Sequence, residues 1–373
     1  MIYFLDGTIY RTLSSREMSE DEICFFADMA SACRTSKCYL CGDVRSLEFF
    51  SKALPYPSNR IYDSLLNRYS ESGSIIERAS VVFVITMNRD MCFNFLPDVL
   101  KCEGKSYIID LEYAMQWNLN LECCLLAENL EDCEFFKLIA QNYNHLQGFD
   151  IRFHCENGGG TTTFEVLKKC IVQEKMPTLC IIDSDQKYGM TKRYPQEPPK
   201  GDTLKKVANI KSSFNSLIDP PCGFFPLEVH EVENLIPLCI LKELEDSYPA
   251  ITDGVNMLVR LQTIDDGNPI LYYDMKNGLP VIKEEPKRTY WKEIICELNG
   301  TDLNMPPKEK QENASSPFFP ALSCKAGLLR KANLLLRQHL RDDLIIDNYL
   351  KKHWKNIAEI VFTWGCVSIP MYS

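Results

Sequence analysis

The sequence predicts an α/β protein with a mainly parallel sheet flanked by helices. Short runs of Leu, Ile, Val and Cys alternate with longer segments of helical character, which is typical of strands joined by crossover helices. Acidic motifs lie at the ends of three such runs, within residues 124–132, 178–185 and 225–237. Because ligands of open α/β sheets bind at the carboxyl ends of the strands, this placement also predicts a functional site.

Residues 1–117 are predicted to form an N-terminal α/β domain. Its strand-like runs are Ile2–Leu5, Lys37–Leu40, Ser80–Thr86 and Ser106–Ile109. Helix-like stretches at Ser19–Arg34 and Val44–Leu54 separate them, and Ser19 followed by three acids is typical of a helix start. The unit contains no glycine-rich nucleotide motif, and its role is not readable from the sequence.

Residues 118–238 are predicted to form the next domain, with strands and helices in strict alternation. In chain order the predicted elements are a strand at Cys123–Ala127, a helix at Glu131–Tyr143, a strand at Gly148–Phe153, a turn at Gly158–Gly160, a helix at Thr163–Gln173 and a strand at Thr178–Ile182. Such alternation favours parallel pairing with right-handed crossovers.

Residues 239–373 are predicted to form a largely helical C-terminal region. The helices are expected at Cys239–Tyr248, Thr252–Thr263, Lys325–Leu340 and Asp343–Glu359. A hairpin is expected near residues 268–284, closed by the Asn277-Gly278 pair. The polar, proline-containing stretch Asn304–Pro317 is expected to be a surface loop.

Five carboxylates in the central region are predicted to bind divalent cations. They are Glu128, Asp132, Asp183, Asp185 and Glu233. Carboxylates gathered at one sheet edge repel one another, and Mg²⁺ or Mn²⁺ relieves the repulsion and in turn holds phosphate groups. Glu231 competes with Glu233, since residues at i and i+2 on a strand point to the same side.

The order of these motifs resembles the Toprim (topoisomerase–primase) superfamily, over about residues 121–237. The resemblance is closest to the nuclease branch of the overcoming-lysogenization-defect proteins and related antiviral effectors. It matches Glu128 to the first catalytic Glu, Asp132 to the acid one turn later, Gly158, Gly159 and Gly160 to a glycine turn, Asp183 and Asp185 to the Asp-x-Asp pair, and Glu233-Asn234 to the closing pair. Asn129 stands where the family has Gly, and Asn also tolerates a left-handed turn.

The resemblance implies a two-metal nuclease that acts in antiviral defence. Glu128, Asp183 and Asp185 would be catalytic and hold one ion, while Asp132 and Glu233 would hold the other. Lys187 would neutralise charge in the transition state. The implied cofactor is Mg²⁺ or Mn²⁺, and the implied partners are DNA or RNA, an ABC-type ATPase and further subunits of an oligomer or complex.

Basic residues directly after the Asp-x-Asp pair are predicted to contact nucleic acid. Residues 186–211 contain seven basic and two acidic side chains, although the whole chain has a net charge of −10. The predicted contacts are Lys187, Lys192, Arg193, Lys205 and Lys206.

Gly158, Gly159 and Gly160 would either bind phosphate through their N–H groups or form a plain turn capped by Thr162 or Thr163. A second basic stretch, at residues 325–355, is interpreted as a solvated face.

Other functions and sites are less favoured by the sequence. A topoisomerase needs a nucleophilic tyrosine on a separate module and a primase needs template-binding domains, and neither pattern is found. A non-catalytic sensor or partner-binding protein with a structural cation stays open. His154 and His230 flank the acidic motifs and could transfer protons, but single histidines are more often packed or solvated. Cys38-x-x-Cys41 has no second ligand pair, so buried strand thiols are favoured over zinc.

The composition predicts a cytoplasmic protein. The seventeen cysteines include Cys123-Cys124, Cys38-x-x-Cys41 and many single residues within apolar runs, which is typical of free thiols in a reducing compartment. No signal peptide or apolar membrane span is recognised, and no membrane partner is expected.

Overall fold

The computed structural model describes residues 1–143, 149–190, 205, 222–264, 268–279, 287–299, 320–322, 327–340 and 344–368. Two four-stranded parallel sheets, each flanked by helices, dominate this part of the chain. The predicted α/β class is therefore confirmed, while the Toprim relationship stays a prediction.

The strands and α-helices are numbered in chain order. The strands are β1 Ile2–Leu5, β2 Tyr39–Gly42, β3 Val82–Thr86, β4 Ser106–Asp110, β5 Cys124–Ala127, β6 Phe149–Ile151, β7 His154–Asn157, β8 Thr178–Ile182, β9 Cys222–Pro226 and β10 Cys366–Ser368. The helices are α1 Gly7–Leu13, α2 Glu20–Arg34, α3 Val44–Ala53, α4 Ser58–Asn67, α5 Tyr69–Arg78, α6 Arg89–Cys92, α7 Leu111–Ala114, α8 Leu130–Tyr143, α9 Thr163–Lys168, α10 Leu238–Ser247, α11 Thr252–Leu261, α12 Lys287–Asn299, α13 Leu328–His339 and α14 Lys351–Gly365.

The first sheet has the strand order β2-β1-β3-β4, with every pair parallel. All four strands overlap the runs predicted from the sequence. Helix α2 begins at a capping box, in which the Ser19 hydroxyl accepts from the Glu22 N–H and the Glu22 carboxylate accepts from the Ser19 N–H. The acid-rich start predicted for this helix thus has a direct structural cause.

The second sheet has the order β7-β5-β8-β9 and is also parallel throughout. Side chains alternate between its faces, so Leu125 and Leu179 join the main core while Cys124 and Cys180 join a smaller cluster on the opposite face. Both faces of the central strands β5 and β8 are covered, which explains why these two strands read as continuous apolar runs. The carboxyl ends of β5, β8 and β9 lie side by side.

The strand predicted at Gly148–Phe153 is confirmed as β6, Phe149–Ile151, but the parallel pairing expected for it is wrong, and a second short strand, β7, follows it at His154–Asn157. β7 joins the second sheet beside β5, whereas β6 pairs antiparallel with β10 near the end of the chain. The Arg152 N–H donates to the Gly365 carbonyl at 2.9 Å and continues that pairing. The pairing of β6 depends on β10, a strand more than 200 residues away in the sequence, and local periodicity cannot reveal such a partner.

The predicted hairpin near residues 268–284 is wrong in its first arm. A 3₁₀ helix, Pro269–Tyr272, occupies that arm, because the Asn234 amide donates to the carbonyls of Ile270 and Tyr273 at 2.9 and 2.8 Å. Gly278 does form a turn, with φ +71° and an N–H bond to the Asp274 carbonyl. Residues 280–286 of the second arm, and the loop predicted at Asn304–Pro317, lie outside the described residues.

The last predicted helix, Asp343–Glu359, is displaced toward the C-terminus. The observed helix α14 covers Lys351–Gly365, and residues 344–347 are not helical. The Asp347 carboxylate accepts the Leu238 N–H at 2.9 Å, and this contact with the start of α10 holds the segment before α14 out of the helix.

The main core is continuous from the N-terminal unit to the last helix. Trp364 of α14 packs edge-on against Phe83 of β3 at 4.9 Å between ring centroids, and the Thr363 hydroxyl accepts the Ser80 N–H at 2.8 Å. The division into residues 1–117, 118–238 and 239–373 therefore stays a prediction, since the first and last parts share one core. None of the described helices has the length and hydropathy required to cross a membrane.

Candidate functional site

The second sheet positions the predicted carboxylates at one edge. Glu128 follows β5 directly, and Asp132 lies in the first turn of α8. Asp183 follows β8, and Glu233 lies in a 3₁₀ helix, Val232–Leu235, that begins shortly after β9. The strand-end placement predicted from the sequence brings these side chains together, and we call Glu128, Asp132, Asp183, Asp185 and Glu233 the acidic cluster.

Mutual repulsion and burial raise the pKa values of several members of the acidic cluster. Burial, and then the charges of Asp132, Glu128 and Glu233, raise the pKa of Asp183 well above its usual range. Burial and then Asp185 raise the pKa of Glu128. These carboxylates therefore sense one another's charge, as expected of groups that face one site.

Asp132 carries the clearest shift within the cluster. Burial, and then the charge of Glu233, raise its pKa to about 7, although the Asn129 N–H donates to it at 2.9 Å and opposes the shift. This hydrogen bond also shows what Asn129 does at the position where the Toprim family has Gly. Its backbone N–H turns back to Asp132 at the start of α8.

The metal-free protein is expected to be more stable at pH 5 than at pH 8. An unfolded aspartate loses its proton near pH 3.9, whereas folded Asp132 keeps it until about pH 7. Unfolding therefore releases protons in this window, and stability falls as the pH rises from about 4 through 7. Each unit by which folding raises a pKa corresponds to about 1.4 kcal/mol in the free energy of unfolding. Urea denaturation in EDTA at several pH values measures how the free energy of unfolding changes with pH. Asp132→Asn should make this change smaller. A free energy of unfolding that rises from pH 5 to pH 8 would contradict the prediction.

A lysine that the sequence analysis did not single out neutralises part of the cluster. The Lys276 ammonium lies 3.2 Å from Glu231 Oε2 and 3.0 Å from Glu233 Oε2. Burial alone would lower the pKa of Lys276, but Glu233, Glu231 and Asp183 raise it above its usual value. Lys276 stands just before the Asn277-Gly278 turn, and the only sequence signal there indicated a hairpin.

The structure separates the roles of Glu231 and Glu233, which the sequence left open. The two residues do not lie on a strand as expected, since Glu231 precedes and caps the 3₁₀ helix that contains Glu233. Glu231 Oε1 accepts the N–H groups of Met275 and Lys276 at 2.8 and 3.2 Å. Glu231 therefore anchors the segment that carries Lys276, while Glu233 contributes to the electrostatics of Asp132, Asp183 and Glu128.

We expect different consequences when each of these glutamates is neutralised. Glu231→Gln should lower the free energy of unfolding by about 1–3 kcal/mol, because two backbone N–H groups lose a charged acceptor. Glu233→Gln should leave stability nearly unchanged and weaken divalent-cation binding. Denaturation curves and Mn²⁺ titrations of both variants measure the two effects. The reverse pattern would assign the ligand role to Glu231.

The Asp-x-Asp segment is held against the residues after β9. The Asp185 N–H donates to the His230 carbonyl at 3.1 Å, and the Ser184 hydroxyl donates to the Val229 carbonyl. Asp185 has φ +54°, a left-handed conformation that costs a non-glycine residue roughly 1–2 kcal/mol. A backbone held in this conformation by surrounding contacts is typical of functional sites.

Two of the three N–H groups in the glycine turn already form hydrogen bonds within the protein, so fewer are left for a phosphate than the sequence predicts. The Gly158 N–H donates to the Ala127 carbonyl at 2.7 Å, and the Gly159 N–H donates to the Glu128 carbonyl at 2.9 Å. Both groups are engaged in holding the turn beside Glu128, so the phosphate prediction depends on Gly160. A Cβ at Gly158 would lie 2.8 Å from the Ala127 carbonyl oxygen, which explains the need for glycine there. The Thr162 hydroxyl donates to the Gly158 carbonyl and does not cap α9.

The predicted nucleic-acid contacts are only partly described. Lys192, Arg193 and Lys206 lie outside the described residues, and Lys205 is exposed. Lys187 is exposed, and its carbonyl accepts the Trp291 indole N–H at 2.9 Å. No ion pair joins Lys187 to the acidic cluster among the described residues, so Lys276 is the cation that contacts it.

Other candidate residues are engaged elsewhere. Several basic side chains of the 325–355 stretch form surface ion pairs, which agrees with a solvated face: Arg337 with Glu134, Lys352 with Glu228, and Lys355 with Glu359. His154 is half exposed and lies 3.2 Å from Glu156 on β7. Cys38 and Cys41 are buried free thiols, as the sequence favoured.

Comparison with protein-family models, with curated proteins and with solved structures found no match for this chain. The resemblance to Toprim nucleases therefore stays a prediction that depends on the motif residues.

Proposed function

We propose that this protein is a Mg²⁺- or Mn²⁺-dependent nuclease of the Toprim type. The observation that carries the proposal is the convergence of Glu128, Asp132, Asp183 and Glu233 at the carboxyl edge of one parallel sheet, with their charges coupled. Carboxylates crowded in this way are stabilised by divalent cations. A purely structural acidic group has no reason to draw its members from three neighbouring strands.

The residues present fit hard divalent cations. Every donor in the acidic cluster is a carboxylate oxygen, which Mg²⁺ and Mn²⁺ prefer. Among the described residues no three members of the cluster bring ligand atoms within 4.8 Å of one another.

Each residue has a defined task in the proposed reaction. Glu128, Asp183 and Asp185 would hold one ion and Asp132 and Glu233 the other, and the bound ions would polarise the scissile phosphate. Lys276, rather than Lys187, is placed to pair with a phosphate oxygen, because its ammonium already lies beside Glu233. The bond from the Asp185 N–H to the His230 carbonyl holds the Asp185 backbone, with its positive φ, beside the residues that follow β9.

Nucleic acid is the proposed substrate, and a reducing cytoplasm is the proposed location, since the described cysteines are all free. A role in antiviral defence beside an ABC-type ATPase, and assembly into an oligomer or complex, stay predictions that depend on the resemblance alone.

Incubation with supercoiled plasmid, single-stranded DNA and transfer RNA in Mg²⁺, Mn²⁺ or EDTA tests the proposal. We expect cleavage of at least one substrate with either ion and none in EDTA. Thermal stabilisation by the ions without cleavage of any substrate would instead favour the non-catalytic sensor.

A further inference from the structure

A second group of ligand-type side chains lies beside the acidic cluster. One ligand atom each from His230, Glu231 and Asp274 lies within 4.8 Å of the other two. In the part of the chain that the structure describes, this is the one group of three or more His, Cys, Asp or Glu side chains with that spacing. Two segments supply it, the residues following β9 and the loop following the 3₁₀ helix at Pro269–Tyr272.

The His230 ring provides an independent indication of a ligand. The residue is 6% exposed, and its buried Nδ1 has no hydrogen-bond partner. Its Nε2 lies 3.8 Å from Asp274 Oδ2, beyond hydrogen-bond range. Buried polar nitrogens in native proteins are almost always paired, so the buried Nδ1 of His230, which has no hydrogen-bond partner among the described residues, calls for one.

The backbone around the three residues is already fixed. The His230 N–H donates to the Leu271 carbonyl at 2.9 Å, and the Asn277 N–H donates to Asp274 Oδ1 at 2.8 Å. Together with the bonds from Met275 and Lys276 to Glu231, these contacts hold the ligands before any ion binds. Such preorganisation favours binding, because little ordering is left to be done.

We propose that His230, Glu231 and Asp274 form a zinc site separate from the acidic cluster. One imidazole nitrogen and two carboxylate oxygens, with water in the fourth position, are a donor set that Zn²⁺ accepts and Mg²⁺ disfavours. One dication would neutralise the two carboxylates, and the Lys276 ammonium, which pairs with both Glu231 and Glu233, would then pair with Glu233.

The site would join the segment that carries Glu233 to the segment that carries Lys276. Zinc would therefore order the surroundings of the acidic cluster without taking part in cleavage. The proposal does not depend on nuclease activity, and its failure would leave the proposed function untouched.

Cobalt substitution in the full-length protein tests this assignment. After EDTA treatment, and with excess Mg²⁺ present to occupy the acidic cluster, Co²⁺ should bind at one equivalent with visible absorption bands of a site containing nitrogen, and Zn²⁺ should displace it. His230→Ala and Asp274→Asn should each abolish the bands, whereas Asp183→Asn in the acidic cluster should keep them.

His339→Ala is the matched control, because His339 pairs with Glu243 at 2.8 Å and belongs to no three-ligand group among the described residues. It should behave like the unchanged protein. Circular dichroism establishes that each variant is folded, and Zn²⁺ should raise the melting temperature of the unchanged protein but not of His230→Ala. Bands that persist in both His230→Ala and Asp274→Asn, or no bands in the unchanged protein, would overturn the proposal.

Discussion

The Asp183→Asn variant should lose metal-dependent cleavage and become more stable in EDTA. Asp183 is 8% exposed and faces the charges of Asp132, Glu128 and Glu233, all of which raise its pKa. Asparagine keeps the shape of the side chain and removes the charge, so repulsion within the acidic cluster falls. We expect a gain on the order of 1–2 kcal/mol in the free energy of unfolding at neutral pH, where the repulsion is largest.

The same substitution removes a ligand that the proposed reaction requires. We expect the cleavage rate in saturating Mn²⁺ to fall by on the order of 10²–10³ or more, a loss typical for preorganised charge stabilisation. Initial rates on the preferred substrate and denaturation curves in EDTA measure the two effects.

Glu228→Gln provides the matched control for Asp183→Asn. Glu228 is an exposed carboxylate in the segment that follows β9, and it pairs with Lys352 rather than with the acidic cluster. Its replacement should change neither the rate nor the stability by a measurable amount. Full activity of Asp183→Asn in Mg²⁺ would remove Asp183 from the catalytic site and with it the proposed assignment.

The strand-end carboxylates were predictable because their signal is local. An apolar run followed at once by acids, as at Ile182-Asp183, specifies both a buried strand and the edge from which the acid projects. Parallel neighbours then bring Glu128 and Asp183 to the same edge, without any knowledge of the loops. The sequence could not supply the strand order, which places β5 next to β8.

Lys276 and the role of Glu231 were not predictable because their causes are long-range. Lys276 meets Glu233 because the Asn234 amide binds the carbonyls of Ile270 and Tyr273 and the Glu231 carboxylate binds the N–H groups of Met275 and Lys276. The local pattern there, apolar residues followed by Asn-Gly, indicates a hairpin. Tertiary hydrogen bonds to one buried amide outweigh that preference.

The Lys276→Met variant should unfold more easily in EDTA and depend on divalent cations for stability. The Lys276 ammonium pairs with Glu231 and Glu233, and its removal leaves their charges, with that of Asp183, uncompensated. About half of the side chain is exposed, so solvent screens part of the effect. We expect a loss on the order of 1–2 kcal/mol, between the values for surface and buried ion pairs.

Because the ammonium competes with added cations for the same carboxylates, Lys276→Met should bind Mn²⁺ more tightly than the unchanged protein while cleaving more slowly. Melting temperatures across a Mn²⁺ titration measure the first effect, and turnover at saturating Mn²⁺ measures the second. Lys276→Arg keeps the charge and should keep the EDTA stability, whereas Lys187→Met removes an exposed lysine outside the cluster and should leave the Mn²⁺ dependence unchanged. If Lys187→Met and Lys276→Met behaved alike, the lysine beside Glu233 would be a surface charge with no special relation to the acidic cluster, and the transition-state role would return to Lys187.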